Sequence, residues 1–104
     1  MTTHNNINNL LLLEASKINN KALLNESIKN KGDINYTDQY NRNALHYASI
    51  YNSNDIIKAL VKNKQLDKKD NFNKRPIDYA KENKNQKIIK LLSRTFRTHT
   101  IKRK

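Results

Sequence analysis

Three six-residue stretches of this chain fall in one register: Leu10 to Ala15, Asn43 to Ala48 and Arg75 to Ala80, offset by 33 and then 32 residues. A fixed period of this length is the mark of a repeat solenoid, in which each small unit buries its apolar face only by stacking on its neighbours. The register runs on beyond the hexapeptides. Leu12 matches Leu45 and Ile77, Ala15 matches Ala48 and Ala80, and the pair Leu23-Leu24 matches Ile56-Ile57 and Ile88-Ile89. An array of this kind presents an extended surface for gripping another macromolecule, so the repeat points to binding before any chemistry is considered.

Each unit reads as two short helices. The first spans about eight residues, 44–51 and 76–83, and the second about ten, 54–63 and 86–93, with apolar residues at i, i+1, i+4 and i+5 along one stripe. Asn20, Ser53 and Asn85 share the position just before the second helix, where a short side-chain oxygen can cap the free N–H groups of the first turn. Pro76 suits the first position of its helix. Lys31-Gly32-Asp33-Ile34-Asn35 and Gln65-Leu66-Asp67 read as extended turn segments, with Gly32 expected to supply a positive φ at a helix end. The domain is expected over residues 9–95, in units of about 9–35, 36–69 and 70–95. A loose N-terminus, 1–8, and a basic tail, 96–104, are expected to flank it.

The 104 residues make one modest domain. With no cysteine there is no disulfide framework and no thiolate chemistry. The longest apolar run, Leu10 to Leu13, is far too short to span a bilayer, and a soluble, intracellular, monomeric protein without a membrane segment is expected. Lysine and arginine number 21 against 9 acids, a net charge of +12. From Lys74 onward there are 11 basic and 2 acidic residues, a balance of +9, so the excess sits in the last unit and the tail. Such charge attracts nucleic acid, anionic membranes or acidic proteins. The 18 asparagines fit a bias expected of an A- and T-rich genome.

These residues resemble the ankyrin repeat, whose Thr-Pro-Leu-His-x-Ala signature opens a unit of a β-turn and two helices. Asn43 to Ala48 keeps its Leu, His and Ala; Arg75 to Ala80 keeps its Pro and Ala. Lys31 to Asn35 resembles the Gly-Ala-Asp-Val-Asn close of a unit, and Asp38 and Asp70 fall at the hairpin-turn aspartate. Asn41, Asn52, Asn73 and Lys84 stand where the family has glycine; asparagine tolerates positive φ, lysine less so. The resemblance implies an all-α ankyrin-repeat solenoid of about three helix-turn-helix units with extended turn loops.

The resemblance also implies a protein-interaction module that binds an unknown partner protein through turn tips and the concave face of the first helices. The variable positions of the family then fall on Gln39, Tyr40, Arg42, Ile50 and Tyr51, and on Asn71, Phe72, Lys74, Glu82 and Asn83. Tyr40 and Phe72, 32 residues apart, would be large rigid anchors. His46 resembles the histidine that ties adjacent turns together. No catalytic residues, cofactor or metal are expected: one glycine allows no phosphate loop, and no serine has a base at readable spacing. Two other readings stand beside this one. Lys87, Lys90 and Arg94, at i, i+3 and i+7, continue to Arg97 and the terminal Lys102-Arg103-Lys104 as a possible phosphate-binding ridge for nucleic acid. Alternatively, the chain is a decayed repeat fragment without a dedicated partner. A nuclear address at Ile101 to Lys104 and a host-directed role in an intracellular microbe follow only by analogy.

Overall fold

The computed structural model describes residues 3–96, with side chains from 7 onward. Its six helices are α1 (Thr3–Lys17), α2 (Lys21–Lys29), α3 (Ala44–Ile50), α4 (Asn54–Leu60), α5 (Pro76–Glu82) and α6 (Gln86–Thr95). They pair as three antiparallel units, and the described residues contain no strand. The first helices stack α1 on α3 on α5, while α2 packs on α4, giving an elongated body of 51 × 23 × 22 Å. The all-α solenoid expected from the repeat is the architecture observed.

The core is the stacking seam. Leu12, Leu45, Ala15, Ala48, Ala80, Ile56 and Ile57 are completely buried, and alanine at the shared position lets neighbouring first helices approach closely. Burial follows place in the stack. Leu24 and Ile57, each with a further unit after it, are fully buried, whereas the equivalent Ile89 in the third unit is half-buried.

The turn joining the two helices of each unit is built the same way three times. The N–H groups of Asn20, Ser53 and Asn85 reach back to the carbonyls of Ala15, Ala48 and Ala80 at 3.0, 2.8 and 3.1 Å, closing each first helix. The residue before each donor is left-handed: Asn19, Asn52 and Lys84 have φ of 56°, 57° and 56°. Asn41 and Asn73 are left-handed too, so all four positions that lack the family's glycine take the backbone a glycine would supply, Lys84 included.

Four local expectations are corrected. α1 starts at Thr3, ahead of the expected domain boundary at 9, so two added helical turns stand where the later units carry a hairpin. Asn9 Oδ1 accepts from the Asp33 N–H at 2.7 Å and Asn8 Nδ2 donates to the Asn30 carbonyl at 2.8 Å, which anchors this stretch to the end of α2. Gly32 does not take the positive φ; Lys31 does, at 76°, with Lys31 N–H on the Ile28 carbonyl and Gly32 N–H on the Ser27 carbonyl. Glycine is needed at 32 for space, because a Cβ there would lie 2.8 Å from the Ser27 carbonyl oxygen and 3.1 Å from that of Asn8. The middle unit's second helix stops at Leu60, and in place of an extended segment over 65–67, residues 64–66 form a 3₁₀ turn capped by Asn63 that buries Leu66.

The fourth correction concerns the caps. Asn20 and Asn85 accept from Leu23 N–H at 3.0 Å and Ile88 N–H at 3.2 Å. Ser53 makes no such bond, and its buried hydroxyl has no partner. The α4 N-terminus is capped instead from the unit before: Asn19 Oδ1 accepts from Asp55 N–H at 3.1 Å and Ile56 N–H at 3.3 Å. The basic tail from Arg97 lies outside the described residues.

Candidate interaction surface

Two hairpins project between the units, residues 38–42 and 70–74. In each the aspartate organises the turn from inside. Asp38 Oδ1 accepts from the N–H groups of Tyr40 (3.0 Å) and Arg42 (3.1 Å); Asp70 Oδ1 accepts from those of Phe72 (2.9 Å) and Lys74 (3.0 Å). The ends close by Asp38 N–H on Arg42 O and Asp70 N–H on Lys74 O, with Asn41 and Asn73 as the left-handed residue of a type I turn and bulge. The second carboxylate oxygen turns inward to a phenol nine residues on: Tyr47 donates to Asp38 and Tyr79 to Asp70. Burial, with the bond to Asp38, pushes the Tyr47 hydroxyl up to about 12.

The hairpins are also joined to one another. Asn71 N–H donates to Tyr40 O at 2.9 Å, Asn71 Nδ2 to Gln39 O at 3.1 Å, and Asn41 Nδ2 to Lys69 O at 3.3 Å. Arg42 spans the unit boundary: its Nε donates to Asp70 Oδ2 at 3.2 Å and an Nη to Tyr79 Oη at 3.0 Å. The guanidinium lies 5.0 to 5.7 Å from the ring centres of Phe72, Tyr79, Tyr40 and Tyr47. Burial alone would raise the Asp70 carboxyl. The bonds from Tyr79, the Lys74 N–H, Arg42 and the Phe72 N–H outweigh it and hold the group at about 2.

The candidate partner-binding residues therefore divide. Tyr40 and Phe72 are 42% and 55% exposed, with ring centres 6.1 Å apart, and form one aromatic ledge along the tips. Gln39 and Tyr51 are exposed and Ile50 is half-buried. The others are occupied within the fold: Arg42 by Asp70 and Tyr79, Asn71 by the neighbouring hairpin, and Lys74 by an ion pair with Glu82. Asn83 donates from Nδ2 to the carbonyls of Ser49 (3.1 Å) and Ile50 (2.9 Å), closing the end of α3. Tyr47 and Tyr79 were not singled out in the sequence. Their shared register, 32 apart and each nine residues after a turn aspartate, was the available signal.

His46 ties turn to turn as its resemblance implied. Its Nδ1 lies 3.1 Å from Asn43 N–H and its Nε2 3.1 Å from the Lys74 carbonyl of the next hairpin. An acceptor Nδ1 and a donor Nε2 describe a neutral imidazole, and burial holds its pKa below the usual histidine value. Asn43 completes the joint by accepting from His46 N–H and donating to Leu66 O. On α6, Lys87, Lys90 and Arg94 are exposed, and the helix carries no acid to pair with them. A shallow depression on its outer side is lined by Ile89, Lys90, Ser93 and Arg94. Arg97, the last of that set, lies outside the described residues. Those residues include no cluster of three or more His, Asp or Glu side chains placed to hold a metal, and no helix among them is long and apolar enough to cross a membrane.

Stacked pairs of antiparallel helices, hairpins that link the later units and one histidine that ties turn to turn define a helical-repeat scaffold of the interaction type. The family model for ankyrin repeats in three copies matches residues 11–102, and the chain belongs to the ankyrin-repeat family. Ankyrin repeats are generally protein–protein interaction modules. No curated protein matches the chain closely enough to count as a relative.

Proposed function

We propose that the chain is a non-catalytic interaction module that binds a partner protein through the tips of its two hairpins and the adjoining concave edge. The observation that carries the reading is the ledge of Tyr40 and Phe72. Both rings are large, exposed and mounted on a frame whose polar groups are already satisfied internally, so docking on them costs little ordering. Gln39, Ile50 and Tyr51 flank the ledge as the surrounding contact surface.

A pull-down from nuclease-treated extract at low and moderate salt tests the reading. It compares the native chain with a Tyr40→Ala, Phe72→Ala variant shown to be folded by circular dichroism. A protein retained at moderate salt by the native chain and lost with the variant is the expected result. Capture of only nuclease-sensitive or salt-labile material, equal for both chains, would overturn it in favour of electrostatic binding by the exposed cations of α6.

A further inference from the structure

Eight large apolar side chains are exposed among the described residues, and five belong to the first unit: Ile7, Leu10, Leu11, Ile18 and Ile28. Ile7, Leu10 and Leu11 lie on α1 and Ile18 directly follows it, at i, i+3, i+4 and i+11, with exposures of 59%, 56%, 38% and 55%, on one side broken only by Glu14. This is the spacing of a helix that packs on another helix. Ala44 and Pro76, the residues equivalent to Leu11 in the later units, are fully buried.

This face is not built like the stacking faces of the later units. Leucine stands at the position where stacking uses alanine or proline, and extra bulk at a close helix contact is costly. The hairpin that links one unit's turn to the next, through Asn71 N–H on Tyr40 O, is replaced at 3–9 by helix. The occupant is indicated by charge. Residues 1–13 contain no Lys, Arg, Asp or Glu, whereas residues 74–104 carry a balance of +9. Contact through the uncharged N-terminal segments leaves the basic units of two +12 chains at the far ends of bodies 51 Å long. At that distance ordinary salt screens them, since the Debye length is about 8 Å.

We propose that the exposed stripe of α1 is covered by the same stripe of a second copy, giving an isologous dimer in place of the monomer expected from the sequence. Four apolar side chains make a small interface of the weak, transient class, so association is expected only at high protein concentration. Salt strengthens the association by screening repulsion between like charges, the opposite of its effect on nucleic-acid binding.

Sedimentation equilibrium of the full chain, from about 1 to 300 µM in low and moderate salt, tests this. The expected result is a mass rising from 12.2 kDa toward twice that value, more steeply at the higher salt. An Ile7→Glu, Leu11→Glu variant should stay monomeric, while Lys87→Glu, Lys90→Glu should associate at least as well as the native chain. A monomer throughout, or association that the α1 variant leaves intact, would overturn the proposal. Should the glutamates unfold the first unit, the absence of cysteine supplies a second readout: Leu10→Cys should give a covalent dimer on mild oxidation and Lys87→Cys should not. Equal cross-linking of the two would count against the interface.

Discussion

Arg42 and Asp70 meet across the boundary between the second and third units, Nε to Oδ2 at 3.2 Å, with the aspartate side chain wholly withdrawn from solvent. The pair couples one hairpin to the next because Asp70 also holds the turn N–H groups of Phe72 and Lys74 and the phenol of Tyr79. Arg42→Ala should destabilise the chain by about 2 kcal/mol, since it leaves a buried carboxylate short of a donor. Arg42→Lys should recover less than half, because a single ammonium cannot serve both Asp70 and Tyr79. Urea unfolding followed by circular dichroism measures both, and an alanine variant as stable as the native chain would remove the clamp from the account.

On the acid side, Asp70 and His46 act in separate pH windows. Asp70 is held at about 2 in the folded chain against an ordinary value of 3.8, so the folded state binds fewer protons between the two. Its contribution is complete above pH 3.8 and is lost as pH falls toward 2, on the order of 2 kcal/mol in all. His46 has a lowered pKa, so it also favours the folded state at higher pH: its contribution is complete above 6.5 and declines as pH falls through that value. Stability should therefore drop in two steps on acidification. Tyr79→Phe should shrink the acid step alone, and His46→Gln should flatten the neutral one at a lower overall stability. Thermal melts across pH read both.

Left-handed lysines are a reserve of stability. Lys84, at φ 56°, and Lys31, at φ 76°, each hold a side chain in a region that disfavours it by about 1 kcal/mol. Lys84→Asn and Lys31→Asn should each stabilise the fold by about 0.5 kcal/mol or more. Gly32→Ala should do the reverse, costing more than about 1 kcal/mol, because its Cβ meets two carbonyl oxygens of backbone that cannot move apart. Equal melting temperatures for the Lys84 and native chains would remove strain at that turn.

At the start of α4 the two neighbouring cap candidates should behave oppositely. Asn19→Ala removes the acceptor for Asp55 and Ile56 N–H and should cost about 1 kcal/mol. Ser53→Ala deletes a buried hydroxyl without a partner and should be neutral or slightly stabilising. Chemical denaturation of the two single variants decides which residue is the cap.

Much of the architecture was legible because it is periodic. Stacking repeats every requirement at 32 or 33 residues, so Ala15, Ala48 and Ala80, the apolar pairs and the left-handed asparagines are visible as coincident letters. Where a local rule was enough, as for Asn20 and Asn85 as caps or Pro76 at a helix start, the reading holds in the structure. Ser53 fails because a residue from the preceding unit, Asn19, arrives at the same N–H groups. Gly32 behaves differently because its constraint is a nearby carbonyl, not its own φ.

The linear pattern by itself determined the number of units, the helix pairs and the seam between them, since apolar spacing and caps act within a few residues along the chain. Only the tertiary structure decided which polar side chains are spent inside the fold. Arg42, Asn71 and Lys74 read as surface residues, yet each is engaged within the fold, while Tyr40 and Phe72 are left bare. The same holds for the apolar stripe of α1. Its exposure depends on what stacks against the first unit, and burial is a property of the neighbour in space, which sequence spacing does not encode.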